Sequence, residues 1–236
     1  NAGFTRSIVL YAPAVARSGG GALIEVNLTL KYPGSGFVYF SAKPLVELDT
    51  QATARVAAFV AAAITGNNYY DYDYYVTMTS DSLVVGGPSA GALITIGFVA
   101  LFLNKTVNDS VSITGMINPD GSIGPVGGLM EKLEAVAEKG YKVFLIPLGQ
   151  RIVYVQKVTT YTLPWGYYQT VTYQPVDLVE EGAKRGVVVI EVSSVFEALK
   201  YFLNITLTAE SKPRQLNPGI ESELAKIFER NTGLVN

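Results

Sequence analysis

Histidine and cysteine are both missing from this chain of 236 residues. Without cysteine there is no disulfide and no thiolate metal site. Without histidine, zinc, copper and haem lose their commonest ligand, and any metal would rest on oxygen donors alone. Neither an EF-hand loop nor a Walker A loop occurs. No metal and no cofactor is therefore expected, and any coupling to ATP is expected to come from another chain. Charge is sparse as well: 16% of residues, with a net charge of -2 at pH 7. That leaves no basic field, so nucleic acid is not an expected partner. Long uninterrupted apolar runs are also wanting. Residues 83–103 are uncharged, but Gly86, Gly87 and Pro88 interrupt them, and the remaining 89–103 falls short of the roughly 20 residues a membrane span needs. A helix buried on all sides fits that segment better. The opening "NAGFTRSIVLYAPAV" lacks the basic and apolar regions of a signal peptide.

What is present is a packed composition, 49% apolar, enough for one substantial core. Strands are predicted at 6–15 and 22–31 around the bend "RSGGG", and a short third strand at 37–41. Asp49 or Thr50 is placed to cap a helix through "QATARVAAFVAAAI". The tyrosine-rich "GNNYYDYDYY" leads into a strand at about 73–79, its rings expected mostly on the rim of the core. An apolar helix follows at 89–103. "VSITGMI" is predicted as one strand, "NPDG" as a turn, "SIGPV" as the return, "GGLMEKLEAVAEKG" as a helix ended by Gly140, and "KVFLI" as a buried strand. Residues 151–174, rich in Val, Thr and Tyr, suggest a protruding β-hairpin. A helix near 176–185, a strand at 187–192 and a helix at 194–204 complete the pattern. Irregular alternation of strands and helices predicts a mixed α+β fold. Residues 1–205 are expected to form the domain, and 206–236 a linker with a short charged helix at about 220–230.

The chemistry is concentrated in "GGPSAGAL". Gly87-Pro88-Ser89-Ala90-Gly91 fits G-x-S-x-G, which presents a nucleophilic serine on a tight turn before a helix. The glycines permit the turn, Pro88 stiffens it, and a serine at a helix start leaves backbone N–H groups for an oxyanion. Alternatively, Ser89 is a plain N-cap. A serine hydroxyl needs a base. With no histidine, a Ser-His-Asp esterase is excluded, and the base must be a lysine, a carboxylate or an N-terminal amine. A free lysine titrates near about 10.4 and must be desolvated to serve. Of eleven lysines, Lys132 is the best placed. Its helix carries Leu129, Leu133, Val136 and Ala137 on one face, and at about 100° per residue Lys132 falls within about 40° of Val136. Periodicity alone favours a lysine snorkelling from the border of the core.

"GPSAG" followed by "TGMINPDGSIGPVGGLMEKLEAVAEKGYKVFLIP" resembles the proteolytic domain of Lon proteases. The second block aligns without a gap over 114–147, and the 43-residue step from Ser89 to Lys132 agrees with the family. The resemblance implies the Lon proteolytic fold, here with an extra hairpin near 151–174. It implies Ser89 as nucleophile, Lys132 as general base and Thr114 as the threonine that holds the lysine, within a turn formed by Gly87, Pro88, Ala90 and Gly91. A dyad of this kind calls for hydrogen-bond reach between Ser89 Oγ and Lys132 Nζ.

Two positions depart from the family. Gly86 and Met116 stand where many members have acidic residues. The loss favours a neutral lysine or leaves it poorly oriented. Asp81 and Glu131 are possible substitutes but are more simply solvated charges. The function implied is a Lon-like serine endopeptidase that acts on unfolded or flexible polypeptides without ATP in this chain. The other reading is an inactive Lon-fold assembly or binding module. Resemblance also implies a homo-oligomer, with a six-membered ring as the family's habit. Asn-x-Ser/Thr sequons at Asn27, Asn104, Asn108 and Asn204 suggest an extracytoplasmic or membrane-tethered setting, with tether or leader outside these residues. Ordinary Asn and Thr usage accounts for them equally.

Overall fold

Strict alternation in "IEVNLTL" sets the first sheet. Ile24, Val26, Leu28 and Leu30 are buried, whereas Glu25 and Asn27 are exposed, the pattern of a strand with one face on the core. The computed structural model describes residues 3–43, 48–81 and 87–208. Strand β2 (Gly21–Tyr32) pairs antiparallel with β1 (Phe4–Val15) and with β4 (Asp73–Thr79). β3 (Val38–Lys43) adds parallel to β4, giving the order β1-β2-β4-β3. Helices α1 (Leu48–Ile64) and α2 (Gly91–Leu103) pack on this sheet within the main core. Every residue of α2 from Gly91 to Leu101 is buried, which explains its uninterrupted apolar sequence. Among the described residues no helix is long and apolar enough to cross a membrane.

A second sheet is wholly parallel: β5 (Val111–Ile113), β8 (Val143–Pro147) and β11 (Val188–Val192), in the order β11-β8-β5. Parallel neighbours require crossovers. α3 (Leu129–Lys139) supplies the first and α4 (Leu178–Lys184) the second. Leu129, Leu133 and Val136 of α3 meet Phe144, Ile146, Leu178 and Val189 in a small second core. α5 (Val195–Leu203), capped by the Ser194 side chain, returns to the main core. Five helices and eleven strands among the described residues make the mixed α+β architecture that the sequence predicts.

Several local expectations are corrected. Asp49 and Thr50 lie inside the first turn of α1 rather than at its cap; an acidic residue there still favours the helix dipole. "VSITGMI" is not one strand. It breaks at Thr114-Gly115 into β5 and β6 (Met116–Ile117), and β6 pairs with β7 (Ile123–Gly124) in a separate ribbon. The hairpin runs on beyond 174: β9 (Ile152–Leu163) and β10 (Gly166–Asp177) stay in register as far as Asp177 opposite Ile152. Pro175 lies within β10 opposite Tyr154, where a ribbon edge tolerates it. Arg151 grips the Asp177 carboxylate at the root of this hairpin, with Nη2 2.6 Å from Oδ2. Two sequon asparagines have a local role, since Asn104 and Asn204 take the left-handed conformation that ends α2 and α5. The tyrosines divide: Tyr74 is buried and stacks on Tyr69, whereas Tyr70 is exposed. The predicted linker and helix beyond 208 lie outside the described residues.

One close approach joins the two halves. A methyl group at Gly21 would collide with the Glu131 carbonyl oxygen and with the Ala135 methyl of α3. Only glycine lets β2 lie this close to the helix. Gly21→Ala is expected to lower unfolding free energy in urea by about 1–3 kcal/mol, the usual cost of overpacking. An unchanged midpoint would mean that the strand and helix do not touch.

Candidate active site

The break at Thr114-Gly115 is where the site is built. Gly87 (φ 154) leads into a single turn of 3-10 helix over Pro88–Ala90, and α2 begins at Gly91. Two backbone bonds tie this turn to the broken strand. The Gly115 N–H donates to Ser89 O at 2.9 Å, and the Ala92 N–H donates to Gly115 O at 3.0 Å. Gly91 makes the fit possible, because a Cβ there would stand 2.7 Å from Ile117 Cγ2 and 2.9 Å from Ile117 N. Ala90 is buried, and Pro88 occupies the first position of the turn. Of the amides expected to be spare, that of Gly91 donates to Pro88 O and that of Ala92 to Gly115 O. The Ser89 N–H donates to no loop, strand or side-chain acceptor among the described residues.

Thr114 is fully buried and anchored by its own N–H, which donates to Leu145 O at 3.1 Å. Its hydroxyl points two ways. It makes a long bond to Ser89 O, 3.5 Å, and accepts from Lys132 Nζ at 3.2 Å. The proton given toward Ser89 leaves Thr114 Oγ1 to act as an acceptor for the amine.

Lys132 is the one charged side chain that is buried among the described residues, 4% exposed. It lies deeper than its place at the edge of an amphipathic stripe predicts. The reason is that α3 has two covered sides. One faces the second core; the other lies against the β1–β2 hairpin, where Gly21 meets Ala135 and Lys139 covers the Tyr11 ring. Desolvation pulls the Lys132 pKa down to about 8, partly offset by the charge on Glu131. That displacement corresponds to about 3 kcal/mol against the ammonium form. No carboxylate forms an ion pair with it among the described residues.

Ser89 and Lys132 share the wall of one cavity of about 430 Å³, together with Val15, Pro88, Met116 and Pro125. Ser89 is half-buried. Its Oγ has no hydrogen-bond partner among the described residues, so the direct bond to Lys132 is not made in this state. Such bonds are often loose before substrate arrives. Met116 contributes an apolar wall where the family often carries a charge. Glu131 also faces the cavity and is half-buried, contrary to its expected place as a solvated charge. Sequence offers only a faint signal for this, its position in the first turn after Gly127-Gly128. Asp81 is exposed, and Gly86 lies outside the described residues.

Comparison with known proteins identifies the family. The profile of the Lon protease (S16) C-terminal proteolytic domain matches residues 20–185, more than half of the chain. The Lon protease of Orientia tsutsugamushi is 34% identical over 134 residues, 55% of this chain and 17% of that protein. The Lon protease of Rickettsia felis is 32% identical over 132 residues, covering 54% and 17%. Lon protease 2 of Syntrophobacter fumaroxidans is 32% identical over 133 residues, with the same shares. The chain thus spans about a sixth of the length of these curated relatives. It belongs to the family of Lon protease (S16) C-terminal proteolytic domains.

Proposed function

We propose that the chain is a serine endopeptidase working through Ser89 and Lys132. Membership of a peptidase family supports the reaction class. The observation that carries the finer reading is a buried lysine amine, its pKa lowered to about 8, in the same cavity wall as an unbonded serine hydroxyl. A neutral amine keeps one lone pair. With an N–H of that amine given to Thr114 Oγ1, the lone pair is available for the Ser89 proton. Ser89 Oγ then attacks the peptide carbonyl, and the developing oxyanion takes the Ser89 N–H as a donor. The Lys132 ammonium returns its proton to the leaving amine, giving an acyl-enzyme. Water deprotonated by Lys132 attacks the ester and regenerates Ser89. Thr114 acts by positioning. In this reading the substrates are unfolded or flexible polypeptides, and cleavage draws on no ATP hydrolysis within residues 1–236.

A second reading keeps the fold as an inactive assembly or binding module. It is favoured by the apolar Met116 in the cavity wall and by the absent Ser89–Lys132 hydrogen bond. A serine-directed phosphonate separates the two, since an inactive site takes up none at Ser89.

Ser89→Ala and Lys132→Ala are each expected to reduce cleavage of unfolded casein by about a thousandfold or more. Unchanged cleavage in either variant contradicts the dyad. The pH dependence has a definite sign. Because the base is the neutral amine, kcat/KM should rise with pH and level off above about 8. A rise that continues toward about 10.4 would indicate an ordinary, hydrated lysine.

A further inference from the structure

The cavity that holds Ser89 and Lys132 does not end at α3. A second, larger hollow of about 760 Å³ adjoins it, and the two have Val126, Gly127, Gly128 and Glu131 as common walls. The far side of this hollow is the root of the β9–β10 hairpin, with Tyr154 and Tyr173, and Gln150 just before it. Gln150 is itself fixed, its side-chain amide donating to Val126 O at 2.8 Å and its oxygen accepting from Val126 N at 2.9 Å. The groove therefore runs from the serine turn, over the first turn of α3, to the extra hairpin.

The larger hollow carries charge of one sign. Lysine and arginine are absent from the walls of the larger hollow, which carries Glu131 and Glu134. Glu134 is partly answered from outside by Arg185, 3.8 Å away. The Glu131 side chain makes no hydrogen bond and no ion pair among the described residues, Lys132 reaching it only through its field, and its carboxylate folds back over Gly128 on the path between the two hollows. An unpaired, half-buried carboxylate on a substrate path favours a cation. The tyrosine rings at the hairpin root suit the same ligand, because an aromatic face attracts ammonium and guanidinium groups.

We propose that Glu131 is a specificity-determining residue that draws lysine- or arginine-bearing polypeptide segments along this groove to Ser89, with the hairpin root as its outer wall. The proposal rests on the Ser89–Lys132 reading for what happens at the cavity, but the recognition step stands apart from it. It also joins binding to chemistry. Glu131 is the carboxylate whose field holds a proton on Lys132, and a substrate cation beside Glu131 offsets that field as the peptide arrives.

Binding to the Ser89→Ala protein isolates recognition from cleavage. Three fluorescent peptides, identical except for a central Lys-Lys, Gln-Gln or Glu-Glu pair, are titrated at low ionic strength and followed by anisotropy. The Lys-Lys peptide is expected to bind roughly fivefold more tightly than Gln-Gln, and Glu-Glu more weakly still. The spread should shrink as salt is raised. Glu131→Gln in the same background should bring the three peptides together, and Glu131→Lys should invert the order. Tyr154→Ala with Tyr173→Ala should weaken the Lys-Lys peptide most. Equal affinity for the three peptides, or a Lys-Lys preference that survives Glu131→Gln, overturns the proposal. Loss of the dyad reading would appear elsewhere, as cleavage retained by Ser89→Ala, and would leave these affinities unaffected.

Discussion

The burial of one amine governs the site. Lys132 is covered because α3 is held from two directions: by the second core through Leu129, Leu133 and Val136, and by the β1–β2 hairpin through the bare backbone at Gly21. Either contact alone would leave a lysine with a route to water, as happens on most helices. Together they remove that route, and desolvation lowers the Lys132 pKa to about 8, which in the proposed mechanism makes a base available near neutral pH. The two sheets are therefore more than scaffolding, since the gap between them sets the solvation of Lys132.

The serine side of the site depends on a different economy of backbone bonds. The strand that begins as β5 holds to β8 through the Thr114 N–H, which donates to Leu145 O, and then turns its Gly115 groups to the serine side, the N–H donating to Ser89 O and the carbonyl accepting from Ala92 N–H. The Thr114 side chain touches both partners at once. A single two-residue break thus fixes the turn and orients the amine. The cavity walls are mostly apolar, with Val15, Pro88, Met116 and Pro125, which keeps the amine dry while Glu131 stands at the mouth.

Much of this was legible in the sequence, for identifiable reasons. The bend "RSGGG" with a weak alternation located β2, and the Leu129, Leu133, Val136 stripe marked the buried face of α3; these are local signals. "GPSAG" marked the serine turn through its glycines and proline. Two things were not legible. The β-type residues on either side of Gly115 concealed the break, although a glycine inside a strand pattern is a local sign of one; the role of Thr114 comes from Leu145 and Ser89, distant in sequence. The depth of Lys132 was hidden likewise, since the helix pattern records one buried face and the second arises from contact with a hairpin more than 100 residues earlier. Glu131 looked like surface for the same reason: its neighbours Gly128 and the hairpin root meet only in the folded chain.

The most direct test is the titration of Lys132 itself. Selective 13C labelling of lysine side chains, with the Lys132 signal assigned by its loss in Lys132→Arg, reports the protonation of each amine separately by NMR. The account predicts that the Lys132 signal moves with a midpoint near 8 while exposed lysines titrate near about 10.4. A Lys132 signal that titrates with the exposed lysines would contradict it.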